Sequence, residues 1–228
     1  MSFRNPENLH HLTGGINDWD DIPARELNRW QRIAKKTHGI VTAANAVSIA
    51  GFLLVMNGLS DIASGNKGVG LAKVVGGRAL DVVDGEVAHR TGTKGNVGRV
   101  VDPTLDFGGL IISLPVMVEA KMIPLAAAAT VATPKVATAI GSTIGFLRGQ
   151  KTLVPEEAKI GTFGIWGGIA AFGVSAAFEK HIPGSAETVL NVTGWAGTVG
   201  GTVMQASATV DYIKTGFGAV ETSKSPSV

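Results

Sequence analysis

The sequence predicts an all-α integral membrane protein with six transmembrane helices. The 228-residue chain is 45% apolar and only 17% charged, whereas a soluble domain carries about 25% charge. Residues 40–63 form an apolar stretch long enough to cross the hydrocarbon layer of roughly 30 Å, while a buried strand needs only about five or six residues. The 31 glycines suit helices that pack closely through small residues.

The composition also excludes several classes of protein. A disordered chain would be polar and charge-rich, and a collagen would have glycine at every third position. The chain has no cysteine, which excludes a disulfide scaffold, a zinc–thiolate site and a cysteine nucleophile. A formal net charge of +2 is too small to indicate binding to nucleic acid.

The first predicted element is a cytoplasmic N-terminal segment, residues 1–39, which contains an amphipathic juxtamembrane helix over residues 21–36. Asp20 or Asp21 can cap this helix, and Pro23 suits its first turn. One face carries apolar side chains and the rest carries basic ones: Leu27, Trp30 and Ile33 or Ala34 against Arg25, Arg29, Arg32, Lys35 and Lys36. This pattern is typical of a helix in the lipid headgroup region, although a helix packed on another protein has it too.

A six-helix transmembrane domain is predicted over residues 40–212, followed by a polar cytoplasmic tail, residues 213–228. One of its six spans is weaker because it contains five charged residues. The spans are residues 40–63, 69–88, a stretch that ends with 107–118, and residues 125–147, 160–178 and 188–210. Fourteen Lys and Arg residues then lie on the side of the termini, against three on the other side. The positive-inside rule therefore places both termini in the cytoplasm, in a multi-pass protein of the cytoplasmic (inner) membrane.

Two groups of acidic and small residues are the candidates for a functional site. By helical spacing each group shares one face: Asp81, Asp84 and Ala88 in the first, and Gly98, Asp102 and Asp106 in the second. Two adjacent helices can therefore direct four carboxylates into one gap that small residues leave open. Burying four like charges is costly unless cations neutralise them, and oxygen ligands suit Mg²⁺ or Mn²⁺. Two such ions could hold a diphosphate.

The acidic run resembles the signature of the CDP-alcohol phosphotransferases, also called CDP-alcohol phosphatidyltransferases. The run is Asp81-x2-Asp84-Gly85-x2-Ala88-x9-Gly98-x3-Asp102-x3-Asp106. One position departs from it, because the family has Arg directly after the alanine and this chain has His89 followed by Arg90. The segment Thr42-Ala43-Ala44-Asn45 resembles the Thr-Pro-Ala-Asn sequence at the family's first membrane helix. With the juxtamembrane helix and the six spans, the resemblance extends over residues 21–212.

The resemblance implies an enzyme of phospholipid synthesis that works as a homodimer in the lipid bilayer, with its active site facing the cytoplasm. It would transfer a phosphatidyl group from CDP-diacylglycerol to an alcohol and release CMP. Two ions, Mg²⁺ or Mn²⁺, would be bound by Asp81, Asp84, Asp102 and Asp106, and Asp106 would also be the general base. The implied nucleotide contacts are Asp81, Gly85, Ala88, Gly98, Asn45 and Arg78. Arg78 could instead pair with Asp81.

Three basic residues indicate a phosphorylated acceptor: Lys135, Arg148 and Lys159. Lys135 would lie about 16 Å deep by helix rise, where a lysine is costly unless it faces an anion or water. Its alternative is a pair with Asp106, and Arg148 could equally be a helix-end arginine reaching the interface. Lys159 lies in Ala158-Lys159-Ile160-Gly161-Thr162, which resembles the Gly-Lys-x-x-Thr element of the glycerophosphate-using and cardiolipin-forming branches.

The resemblance is closest to the phosphatidylglycerophosphate synthase and cardiolipin synthase-like branch, so glycerol 3-phosphate is the expected acceptor. Asp102-Pro103 followed by Asp106 supports this branch. The branch normally has Lys after the last aspartate, where this chain has Phe107, so inositol phosphate and phosphatidylglycerol stay open as acceptors. An alternative of another class is an ion-translocating membrane protein, because carboxylates within a membrane also mark ion pathways.

Overall fold

The structure, a computed structural model, describes residues 17, 19, 22–147 and 156–216. Within them it describes the backbone alone for residues 96–104, 106, 138, 141–147, 156–159, 208, 209 and 211–216. This part of the chain forms seven helices and no strand: α1 (Arg29–Lys36), α2 (Ala43–Ala63), α3 (Lys67–Thr91), α4 (Asn96–Glu119), α5 (Leu125–Leu147), α6 (Glu156–Phe178) and α7 (Gly184–Gly216). The all-α prediction is therefore confirmed for the described residues.

Five of the six segments predicted to span a membrane lie wholly within one of the helices α3 to α7, and the first, residues 40–63, is helical from Ala43 onwards, as α2. By length and composition, two stretches among the described residues are long and apolar enough to cross a membrane, Ala43–Ala63 and Ile160–Phe178. Phe107–Glu119 and Leu125–Ala137 are shorter apolar stretches. The count of six spans therefore stays a prediction.

The amphipathic helix is shorter than predicted. It begins at Arg29 instead of residue 21, because the chain turns at residues 24–26. The start is fixed by Asn28, whose side chain accepts a hydrogen bond from the Gln31 N–H, while the Gln31 side chain accepts one from the Asn28 N–H. This reciprocal capping box satisfies two N–H groups that would otherwise lack partners, and it sets the first residue of α1.

The predicted apolar face of this helix is divided in the structure. Leu27 and Ala34 are buried together with Trp19, whereas Trp30 is 43% exposed. The proposed caps, Asp20 and Asp21, lie outside the described residues. The helix therefore presents one apolar side to the protein and leaves a tryptophan on its outer surface.

Helices α2 and α3 pack against each other through glycine backbones. A Cβ atom added at Gly51 would lie 2.8 Å from the Gly77 carbonyl oxygen, and one at Gly77 would lie 2.5 Å from the Gly51 carbonyl oxygen. Gly58 and Gly70 meet in the same way, at 2.6 and 2.5 Å. Because real Cβ atoms essentially never approach another atom within 3.0 Å, only glycine permits this contact between the two helices.

Helices α6 and α7 form a second glycine contact. A Cβ atom at Gly201 would lie 2.5 Å from the Gly161 carbonyl oxygen, and one at Gly197 would lie 2.8 Å from the Gly168 Cα atom. These contacts agree with the expectation that the glycines allow helices to pack closely.

The apolar core joins the two glycine-packed pairs. It contains residues of α2 to α6, among them Val55, Leu59, Leu71, Val74, Leu110, Met117, Val131, Ile165 and Phe172. Short connections at residues 64–66 and 92–95 reverse the chain between α2, α3 and α4. The start of α2, the end of α3 and the start of α4 therefore lie at the same end of the bundle.

Candidate active site

A hydrogen bond between α2 and α3 lies at the centre of the candidate site. The Ser48 hydroxyl donates to Oδ2 of Asp84 at 2.5 Å, and both residues are buried, with Asp84 only 7% exposed. Ser48 was not predicted as a site residue. The available signal was its register, because Ser48 lies three residues before Gly51 and ten before Gly58, on the same small-residue face of α2 that meets α3.

Asp81 lies one turn before Asp84 and forms an ion pair with Arg78 on the same helix. The Arg78 guanidinium carbon also lies 4.1 Å from the centre of the Trp166 ring, which belongs to α6. A guanidinium stacked on an indole is attracted by the ring electrons and held in one orientation. The structure therefore places Arg78 between an acidic side chain of α3 and an aromatic side chain of α6.

The two small residues that follow Asp84 have different surroundings. A Cβ atom added at Gly85 would meet nothing within 4 Å, and Gly85 is exposed. Ala88 is buried. In the described part of the chain no helix contact requires glycine at position 85, so the absence of a side chain there leaves open space at the residue that follows Asp84.

Asn45 forms hydrogen bonds with the connection that precedes α2. Its backbone N–H donates to the Thr42 hydroxyl, which caps the helix, at 3.0 Å. Its side-chain nitrogen donates to the carbonyl oxygens of Gly39 and Ile40 at 3.1 and 2.9 Å. The Asn45 amide nitrogen therefore holds residues 39 and 40 against the start of α2.

The second acidic group belongs to α4. This helix begins at Asn96 and carries Gly98, Asp102 and Asp106 at four-residue intervals, and the structure describes only their backbone. Since residues 92–95 join α3 to α4, the two acidic segments lie at the same end of the bundle. Among the residues whose side chains are described, no group of three or more His, Cys, Asp or Glu could hold a metal ion.

A polar junction joins α5, α6 and α7 at Lys135. The Lys135 ammonium group donates to the Thr162 hydroxyl at 3.2 Å, and the Gln205 side-chain nitrogen donates to the same hydroxyl at 2.6 Å. Thr162 is the last residue of the segment that contains Lys159, so Lys135 meets that segment. The side chain of Lys159 lies outside the described part, as does the whole of Arg148.

The helix that carries Lys135 has Pro134 in its interior. Proline has no N–H group, so the carbonyl of Thr130, four residues earlier, cannot receive its usual helical hydrogen bond. The Thr202 hydroxyl of α7 lies 3.5 Å from that carbonyl oxygen. The α5–α7 contact thus supplies a polar neighbour at the point where the backbone of α5 is interrupted.

One family model, described as CDP-alcohol phosphatidyltransferase, matches residues 41–202, more than two thirds of the chain. The chain belongs to the CDP-alcohol phosphatidyltransferase family. The matched residues run from the start of α2 into α7 and include both acidic groups. A search of curated proteins and a search of solved structures each gave no match.

Membership of the CDP-alcohol phosphatidyltransferase family makes this protein a transferase of substituted phosphate groups, with a place in phospholipid biosynthesis. Its substrates are a CDP-linked alcohol and an alcohol acceptor. The family and the apolar helices together indicate a membrane protein.

Proposed function

We propose that this enzyme transfers the phosphatidyl group of CDP-diacylglycerol to glycerol 3-phosphate and releases CMP. The observation that carries the proposal is the environment of Asp84, a buried carboxylate followed in the helix by Gly85, where an added Cβ atom would meet open space. No basic side chain in the described part of the chain pairs with Asp84, whose hydrogen bonds come from neutral donors, the Ser48 hydroxyl and the Gly85 backbone N–H. A buried carboxylate without a cationic partner is costly, so a divalent cation is a suitable partner.

The metal ligands in this proposal are Asp81, Asp84, Asp102 and Asp106. All four provide carboxylate oxygens, the donor type that Mg²⁺ and Mn²⁺ favour. When bound, two divalent ions would offset the negative charge of the donor diphosphate. The Ser48 hydrogen bond orients the Asp84 carboxylate for a ligand.

The proposed reaction is one displacement at phosphorus. The acceptor hydroxyl oxygen forms a bond to the phosphorus nearer the lipid, the bond from that phosphorus to the CMP phosphate oxygen breaks, and CMP leaves with the electron pair. Asp106 takes the hydroxyl proton, which requires hydrogen-bond reach to the acceptor oxygen. Gly85, Ala88 and Gly98 would give clearance for the cytidine, with Arg78 directed at the donor diphosphate and Asn45 holding the edge of the site.

The acceptor phosphate would be bound at the polar junction around Lys135. The ammonium group and the Gln205 amide are hydrogen-bond donors that meet at Thr162, and an anion would add a strong charge-assisted bond to Lys135. Arg148 and Lys159 are the further cations of the proposed subsite. This arrangement supports a phosphorylated acceptor and the phosphatidylglycerophosphate synthase-like branch, with inositol phosphate and phosphatidylglycerol as the alternatives.

The test uses the purified full-length protein in liposomes that contain CDP-diacylglycerol and Mg²⁺. Glycerol 3-phosphate, inositol phosphate and phosphatidylglycerol are supplied separately, and released CMP is measured. We expect release with glycerol 3-phosphate, its loss after metal chelation and its loss in Asp84→Asn. Release with only another acceptor would refute the acceptor assignment, and no release with any acceptor would refute the reaction.

We further propose that helices α2 to α7 are six transmembrane spans, with both termini in the cytoplasm, and that the enzyme is a homodimer. Outward-facing apolar side chains on α7 support a lipid-facing or partner-facing surface: Val189, Val192, Val199 and Val203 are all exposed. On α1 the exposed Trp30 and the basic residues around it support a position in the headgroup region.

Because the chain lacks cysteine, single cysteines can report the topology. We expect a cysteine replacing Lys121 or Lys180 to react with an impermeant maleimide in intact cells. A cysteine replacing Lys36 should react only after permeabilisation. The reverse pattern would refute the orientation. Cross-linking of the membrane-embedded protein tests the homodimer. Recovery of monomers alone would contradict it.

A further inference from the structure

Two residues at the start of α1 form hydrogen bonds with the backbone where α3 ends and the α3–α4 loop begins. The side-chain nitrogen of Asn28 donates to the Thr91 carbonyl oxygen at 3.0 Å, and that of Gln31 donates to the Gly92 carbonyl oxygen at 3.2 Å. The same two residues form the capping box of α1 through their side-chain oxygens. Each amide therefore uses its oxygen to start α1 and its nitrogen to hold the loop.

An aromatic contact holds the other end of the same loop. Trp19 is 2% exposed and packs with Leu27 and Ala34 in a small core of the N-terminal segment. A Cβ atom added at Gly95, the N-cap of α4, would lie 2.6 Å from Cη2 of the Trp19 ring. The ring therefore lies directly against the backbone from which α4 starts.

The loop itself is built for this contact. Gly92 ends α3 in the left-handed conformation, with φ of 61°, where other residues are disfavoured. A Cβ atom at Gly92 would also lie 2.6 Å from the Gln31 side-chain nitrogen. Thr93 is buried, and its N–H donates to the Ala88 carbonyl oxygen at 3.0 Å. The path of the chain from α3 to α4 is thus fixed from both inside and outside the loop.

We propose that Asn28 and Gln31 are positioning residues that fix the α3–α4 loop and so set the register of the two acidic helices at the divalent-ion site. The inference rests on the proposed function, because only there do the aspartates of α3 and α4 act together. Both residues precede residue 41, where the family match begins, whereas the carbonyls that they contact, at Thr91 and Gly92, lie within it. Their hydrogen bonds are accepted by backbone carbonyls, so they restrain the backbone of the loop directly.

Two isosteric substitutions separate this role from the capping of α1. Asn28→Asp and Gln31→Glu keep the oxygens of the capping box, for which Asp and Glu are equally suitable. Both replace the nitrogen that donates to the loop with an oxygen that cannot donate. Ala24→Asp is the control for added charge, because it introduces one of the two negative charges at an exposed turn position four residues from Asn28.

The experiment compares the double variant with wild type as full-length protein in detergent. Nitroxide labels on cysteines that replace Lys35 and Arg90, both exposed, give the distance distribution between α1 and the end of α3. Binding of Mn²⁺ is measured by electron paramagnetic resonance, and the melting temperature is recorded without metal. We expect a broadened distance distribution and roughly 10-fold weaker Mn²⁺ binding, the size of effect that residues supporting metal ligands produce.

A merely structural role would lower the melting temperature and leave the Mn²⁺ affinity of the folded fraction unchanged, which would overturn the inference. A distance distribution identical to that of wild type and the Ala24→Asp control would overturn it as well. A wild-type protein that binds Mn²⁺ but releases no CMP would refute the proposed reaction instead. In that case weaker Mn²⁺ binding by the double variant still supports the positioning role.

Discussion

The Ser48 hydroxyl and the Asp84 carboxylate meet at 2.5 Å across the interface of α2 and α3. This bond connects the first acidic helix to a neighbour that carries none of the four aspartates of the signature. Because both residues are buried, water cannot replace the hydroxyl without cost. The orientation of Asp84 therefore depends on α2.

We expect Ser48→Ala to lower the transfer rate and to raise the half-saturating Mg²⁺ concentration. Groups that orient a metal ligand typically affect affinity or activity by about 10- to 100-fold. Ser64→Ala is the control, since its hydroxyl bonds only the Ser60 carbonyl of its own helix end. Equal Mg²⁺ dependence in both variants would show that the Ser48 hydrogen bond does not support a ligand.

Two neighbouring glycines of α3 should respond oppositely to alanine. At Gly77 a Cβ atom would lie 2.5 Å from a carbonyl oxygen of α2, whereas at Gly76 its nearest neighbour is a Leu54 methyl group at 3.6 Å. Overpacking costs about 1–3 kcal/mol, so Gly77→Ala should lower the melting temperature in detergent. Gly76→Ala should leave it equal or higher, because alanine favours the helix. Similar melting temperatures would contradict the close α2–α3 contact.

Gly85→Ala should impair donor binding without affecting the fold. Apart from the adjacent residues and the backbone of the same helix, no atom of the described structure lies within 4 Å of the added methyl group, so the melting temperature should match that of wild type. A methyl group in the proposed cytidine clearance should raise the KM for CDP-diacylglycerol by about 10-fold, which corresponds to roughly 1.4 kcal/mol. Gly167→Ala on α6, equally open, is the control. An unchanged KM would remove Gly85 from the nucleotide site.

Lys135→Met should raise the KM for glycerol 3-phosphate and spare the KM for CDP-diacylglycerol. A hydrogen bond to a charged group contributes about 1.5–3 kcal/mol, so the increase should be about 10-fold or more. Lys180→Met, at an exposed position near the opposite end of the bundle, should change neither constant. A larger increase in the KM for CDP-diacylglycerol than in the KM for glycerol 3-phosphate would contradict the assignment of Lys135 to the acceptor.

Apolar length predicted the helices well, because a long uncharged stretch has few alternatives to a buried or membrane-spanning helix. The residues 125–147 predicted as a span form α5 with the same bounds. The start of α1 was predicted wrongly. The hydrophobic pattern continues before Arg29, but a local capping box makes the helix begin at that residue.

The contacts of the site were harder to predict than its aspartates. The acidic signature is written in the spacing of one segment, but Ser48 lies 36 residues before Asp84 and resembles any small residue of a packing face. The hydrogen bond from Asn28 to Thr91 joins residues 63 positions apart in the sequence. Its acceptor is a backbone carbonyl, so no pattern of side chains in the sequence reveals it. Such contacts depend on how the helices meet in three dimensions.

The glycine contact between α2 and α3 has a thermodynamic consequence for the site. Glycine has no rotamers to lose, so its four positions in this interface add no cost for ordering a side chain. At these four positions the two helix backbones are in direct contact. The separation of the two helix backbones near Ser48 and Asp84 is therefore set by this direct contact between backbones.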